Sequence, residues 1–178
     1  MRLRSVAALA SALGAATLPS AARAQSAFHI GISGGIAVAT EGEWNRGYSG
    51  GAHARLSMEL DRVIGRLGLQ ADAEVYGFRR DASAGQISSR TTVPGVSANL
   101  VLPLTRGTAR LRPYLLAGGG SYRTEYGEPQ PDWHFGVSGG GGLRFGVGRT
   151  DLLLETRVLR IGDGSTPRLV PVLLGLRF

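Results

Sequence analysis

From Phe28 onward the sequence alternates apolar and polar residues with a period of two, in short runs separated by turn-rich stretches. A helix recurs every 3.6 residues, so this period leaves only strands with two unlike faces. In Phe28–Val38, residues Phe28, Ile30, Ile32, Ile36 and Val38 share one side, and His29, Gly31, Ser33, Gly35 and Ala37 the other. Tyr48–Leu60 repeats the pattern, with Leu56, Met58 and Leu60 opposite His53, Arg55 and Glu59. Val63–Gly77 sets Leu67, Leu69 and Val75 against Arg66, Asp72 and Glu74. Five weaker runs follow: Gly95–Leu102, Leu111–Ser121, Phe135–Phe145, Leu152–Val158 and a last one through Val170 to Phe178. Eight antiparallel strands return both ends to one side. The predicted fold is therefore all-β, an eight-stranded antiparallel up-and-down barrel. The connectors alternate too. Asp61-Arg62, Pro103–Ala109 and Gly146–Thr150 are compact, whereas Thr40–Gly47, Arg79–Ser88, Tyr122–His134 and Gly162–Arg168 are mostly longer and more polar. One rim is trimmed and the other elaborated.

Alternation does not say which face meets water, since a soluble barrel has the same period with the faces exchanged. Glycine decides the matter. Gly31, Gly35, Gly51, Gly68, Gly118, Gly120, Gly136, Gly140 and Gly142 all fall on the polar face among Arg, Asp, Glu and His. Glycine weakens a solvent-facing strand, but inside a narrow barrel it leaves room for long charged neighbours. The polar face is therefore expected to point inward and the apolar face outward into lipid. The aromatic residues supply a geometric check. Phe28, Phe145 and Phe178 fall at the trimmed rim, Tyr48 and Phe135 at the elaborated one, with Trp44 and Trp133 just beyond. Phe135 to Phe145 covers about 33 Å along a strand, and a tilt near 40° reduces this to about 25 Å, the height of a lipid-facing band. These seven aromatics are the expected membrane-interface residues.

The first 24 residues read differently. Arg2 and Arg4 precede an apolar run, Val6–Leu18, which ends in the small-x-small triplet Ala22-Arg23-Ala24. This is the pattern of a secretory signal peptide, cleaved before Gln25 and exported by the Sec route, and its apolar core is well short of the roughly 20 residues of a spanning helix. The expected organisation is a signal peptide at 1–24 and one barrel domain at 25–178. The formal charge of +7 invites a nucleic-acid reading. Three of the twenty arginines lie in the leader, however, which leaves 17 against 13 acids with no basic cluster, so no nucleic-acid partner is expected. There is no cysteine, hence no disulfide framework and no thiolate metal site.

The charges on the inward face are Arg55, Glu59, Arg66, Asp72, Glu74, Arg112, Arg144, Glu155 and Arg157. Eight strands leave an interior just wide enough for side chains, and an unpaired charge there is costly, so these nine are expected to form a plug of ion pairs rather than line a pore. No catalytic residue is expected. His134 and Ser138 share the inward parity but stand about 13 Å apart along one strand, too far to act as base and nucleophile. Glu155 is the acid that would go with His134 and Ser138, and His53 with Ser49 is the other candidate pair, but no His-x-Ser pairing of the deacylase kind is present. His29 lies at the opposite end from His53 and His134, so no metal site is expected, and no cofactor. Pro113 and Pro171 conflict with the strand assignment, because each removes a ladder donor.

Taken together, the leader, "RPYLLAGGGSY", "HFGVSGGGGLRFG", "LLLETRV" and the ending "VPVLLGLRF" resemble the OmpA/OmpX-like small outer-membrane β-barrels, the outer membrane protein beta-barrel domain class. The resemblance covers the whole chain after the leader. It implies residence in the outer membrane of a Gram-negative-type bacterium, contact with outer-membrane lipids and lipopolysaccharide, and a monomer. It also implies that the terminal aromatic, Phe178, is the signal read by the barrel assembly machinery. The function implied is structural or surface-interacting, serving envelope integrity, adhesion or stress resistance, and not enzymatic. Two alternatives remain open on sequence: a lipid A-modifying acyl hydrolase barrel, and a soluble periplasmic barrel binding a small apolar ligand.

Overall fold

The computed structural model describes residues 28–40, 48–80, 90–105, 109–124, 132–162 and 168–178. The leader, Trp44 and the side chains of Tyr48 and Ser49 lie outside the described residues. Eight strands are present: β1 (Phe28–Ala39), β2 (Tyr48–Ile64), β3 (Leu67–Arg80), β4 (Arg90–Pro103), β5 (Leu111–Thr124), β6 (Asp132–Val147), β7 (Thr150–Ile161) and β8 (Arg168–Arg177). Each pairs antiparallel with the next, and β8 returns to β1, so the sheet is a closed barrel. Closure leaves no free sheet edge among the described strands, so their ladders are made within the wall, which is what a hydrocarbon surrounding demands.

The register keeps like faces together. Ile32 lies between Leu56 and Leu176, while its neighbour Ser33 lies between Arg55 and Gly175. The outcome is an inverted protein. Ile36, Phe135 and Leu174 are 62%, 67% and 57% exposed, whereas Asp72, Glu155 and Arg157 are 4%, 2% and 1% exposed. In water a continuous wall of bare Ile, Leu and Val would oppose folding, and in lipid it costs nothing. The soluble-barrel alternative is thereby overturned, since it requires the two faces to be exchanged.

Some strand limits differ from the sequence reading. The compact turn expected at Asp61-Arg62, with the third strand starting at Val63, is displaced. β2 runs on to Ile64, and the chain reverses at Gly65-Arg66, where Gly65 has φ 62°, a left-handed conformation that glycine adopts without strain. Arg62 also has positive φ, 58°, and the β2–β3 register slips between Leu60 and Ile64, so the turn carries a bulge. The β6–β7 turn uses Gly148 (φ 65°) in the same way. Arg66 consequently sits exposed in the turn, with Nη2 donating to Pro103 O at 2.8 Å, and not on the inner wall where alternation had put it.

Both prolines are in strands, placed where the neighbouring ladder lapses. Pro113 O accepts from Leu104 N at 2.9 Å, just past the last β4–β5 pair, Pro103 with Tyr114. Because N and O of a strand residue face the same neighbour, the donor missing at Pro113 points to where β4 has ended. The β7–β8 ladder skips from Thr156/Val172 to Leu159/Leu169, and Pro171 lies in that gap with its O accepting from Thr156 Oγ1 at 3.1 Å.

Candidate functional site: the barrel interior

The inward side chains form layers along the barrel axis. At the end bearing the short turns, Arg144 Nη2 donates to both carboxylate oxygens of Glu59, at 2.9 and 2.8 Å. Arg177 reaches Asp61 Oδ1 and Asp151 Oδ2, each at 2.8 Å, and its Nε lies 3.2 Å from Glu59. Asp151 also takes Arg112, and His29 Nε2 lies 3.2 Å from Asp61. The Arg144 guanidinium stands 4.4 Å above the Tyr114 ring, a cation–π contact.

The middle layer centres on Glu155 and Asp72. Glu155 Oε1 accepts from Arg55 and from Arg157 Nη2 at 2.7 Å, and its Oε2 accepts from Tyr114 OH at 2.6 Å. Arg157 Nη2 also donates to Asp72 Oδ2 at 3.2 Å, and Gln70 and Asn99 donate to the same carboxylate at 2.9 Å. Both faces of each acid are therefore occupied, which is the condition under which a buried charge is tolerable. One layer further, Glu74 accepts four bonds: His53 Nε2 at 3.0 Å, Tyr76 OH at 2.9 Å, Tyr122 OH at 2.8 Å and Ser97 Oγ at 3.2 Å. His53 stacks on Tyr76, ring centroids 4.0 Å apart.

Toward the long connectors the interior turns apolar. Ala37, Ala39, Phe78, Val93, Leu159, Ile161 and Leu169 pack with the rings of Tyr76 and Tyr122 into a buried cluster, each 3% exposed or less. These residues occupy the loop-side ends of β1, β3, β4, β5, β7 and β8. The lumen is stoppered with hydrocarbon at that end and filled with charge below it.

Of the nine interior charges expected from sequence, Arg55, Glu59, Asp72, Glu74, Arg144, Glu155 and Arg157 are buried and joined to partners inside the barrel. Arg112 is half-buried near the turn-side mouth, and Arg66 is in the exposed turn. Arg177, Asp151, Asp61 and His29 were not among the expected residues, although Arg177 precedes an outward Phe178 and so carries the inward parity. Ser138 Oγ donates to Asn99 Oδ1 at 3.1 Å within the interior, facing away from lipid. Phe28, Phe145 and Phe178 are exposed at the turn-side rim, Trp133 and Phe135 at the loop-side one.

A closed antiparallel barrel with an apolar outer wall and a packed, charged interior is an integral outer-membrane β-barrel. Solved structures share the fold, among them the following three. Neisserial surface protein A aligns with a TM-score of 0.61 at 17% identity, over 84% of this chain and 95% of that one. OprG of Pseudomonas aeruginosa aligns with a TM-score of 0.54 at 12% identity, over 86% and 97%. A major outer membrane protein of Thermus thermophilus aligns with a TM-score of 0.50 at 12% identity, over 85% and 99%. No protein-family model and no curated protein sequence matches the chain.

Proposed function

We propose that this protein is a non-conducting barrel that strengthens the outer membrane and displays its four long connectors at the cell surface for adhesion or stress resistance. The observation that carries this reading is the interior: buried ion pairs fill its middle, and the apolar cluster around Phe78 and Leu159 closes its loop end. Among the described residues this packing supports a closed lumen, since hydrated ions would have to displace either paired charges or close-packed rings. Reconstituted into planar bilayers, the protein is expected to give no stepwise conductance. Stable openings at moderate voltage would defeat the proposal. Migration that is faster before boiling than after, on a denaturing gel, checks in the same preparation that the barrel is folded.

Two features support contact with lipid and with the assembly apparatus. Arg79, Arg123 and Arg160 are exposed and share the outward parity at the loop-side ends of β3, β5 and β7, where anionic headgroups of lipopolysaccharide would lie. Phe178 faces outward, and its N and O bond with Ile30 O and N at 2.8 and 3.3 Å, so the last residue is held in the closing seam. Phe178→Ala is expected to cut insertion by the barrel assembly machinery several-fold in a reconstituted assay while leaving folding into detergent unchanged. Equal insertion by both proteins would remove the signal role. The acyl-hydrolase alternative gains nothing from the geometry, because Ser138 is committed to Asn99 and His53 to Glu74.

A further inference from the structure

At the turn-side mouth the interior opens into a cavity of about 420 Å³. Its lining includes two acids, Glu59 and Asp61, and five cations, Arg62, Arg66, Arg112, Arg144 and Arg177. Adding Asp151, which bonds Arg112 and Arg177, still leaves the cations in excess. A second wall is different in kind, built from Val101, Pro103, Pro113 and Tyr114. Arg66 spans the lip between the β2–β3 turn and Pro103 O.

Unspent donors collect here. Arg112 Nε, Arg144 Nε and Thr105 Oγ1 are buried without a hydrogen-bond partner, and Arg177 Nε faces Glu59 without hydrogen-bond alignment. These are four of the seven such atoms among the described residues, and all four belong to lining residues. Arg144 is itself more than nine-tenths buried. These atoms sit just beneath the lining with no partner on the protein side, a guanidinium has nothing to offer except donors, and the lining holds more cations than acids, so the complement of this wall is an acceptor carrying negative charge. The volume lies within the range of small-molecule pockets, well beyond that of a bare oxyanion, and the proline–tyrosine wall suits an apolar body.

We propose that this vestibule binds a small organic anion, whose carboxylate or phosphate group sits on Arg112, Arg144 and Thr105 and whose body lies against Pro103, Pro113 and Tyr114. The test uses the full barrel, labelled with nitrogen-15 in maltoside micelles, which contain no phosphate. Glycerol 3-phosphate, N-acetylalanine and inorganic phosphate are titrated separately, reading the Nε–H resonances of arginine. Saturable shifts of Arg112 and Arg144 are expected with at least one organic anion, at lower concentration than inorganic phosphate requires, while Arg79 and Arg160 at the far end follow ionic strength alone. Preference for glycerol 3-phosphate assigns the site to lipid headgroup chemistry, and preference for N-acetylalanine to peptide carboxylates. Arg112→Gln is expected to weaken binding about tenfold, the scale of one charge-assisted hydrogen bond. Should that variant fail to fold, Thr105→Val and the exposed Arg66→Gln, which leave the ion-pair layers intact, are each expected to weaken it several-fold. Non-saturating shifts, equal shifts at both ends, binding of inorganic phosphate alone, or affinity unchanged in all folded variants would overturn the proposal.

Discussion

Arg157→Met lowers the unfolding free energy of the barrel by about 3–5 kcal/mol, the loss expected when one partner of a buried ion pair is removed. Arg157 is 1% exposed and holds Glu155 at 2.7 Å and Asp72 at 3.2 Å at once. Methionine retains most of the stem volume, so the change isolates charge and hydrogen bonding from packing. With Arg157 gone, Arg55 is left to serve two carboxylates, and it lies 4.0 Å from Asp72. Urea titration of the protein in phosphatidylcholine vesicles, followed by gel mobility, measures the loss. A change below about 1 kcal/mol, the scale of a solvated surface pair, would show that water reaches this layer and that the pairs do not act as a plug. Combining Arg157→Met with Asp72→Asn is expected to recover part of the loss, because the second change removes a charge that the first left uncompensated.

Gly140→Ala is expected to impair barrel closure, and Gly139→Ala, one residue away, to be tolerated. A methyl group at Gly140 would point inward and lie 2.5 Å from Arg157 Cα and 2.7 Å from its Cβ, on the opposing strand. Neither atom can yield without moving β7. At Gly139 the nearest atom is Leu116 O at 4.0 Å, and the face is outward. Overpacking of this kind costs about 1–3 kcal/mol, and here it bears on the backbone of the same residue whose guanidinium links Glu155 to Asp72. The yield of the fast-migrating folded form in detergent checks the pair. Equal yields from the two variants would mean that the inner wall has slack that its glycines do not need.

The fold was legible because inversion leaves its mark on every strand: one face of Ile, Leu and Val, the other of glycine and charge. Each strand repeats the message, so errors at single residues do not accumulate. The strand ends were less legible. Thr91 and Thr92 extend β4 without adding to the apolar face, and the turn at Gly65-Arg66 replaces the first residues expected of the third strand, which puts Arg66 in the turn and not on the inner wall. The ion-pair layers could be read as a set of residues but not as a wiring diagram. Arg144 and Glu59 are 85 residues apart in sequence and meet only because β6 and β2 face each other across the lumen. The apolar stopper was the least visible element. Phe78, Leu159, Ile161 and Leu169 hold inward positions on a face defined by its polarity, and a local alternation rule treats them as interruptions.

The stopper gives the molecule a polarity along its axis that its eight equivalent strands do not. On the proposed function, any electrical or osmotic difference between the two compartments is held by the plug that this oily disc completes. With the lumen closed as proposed, the arginine vestibule beneath it samples the salt and solutes of one side only, and is deaf to the other.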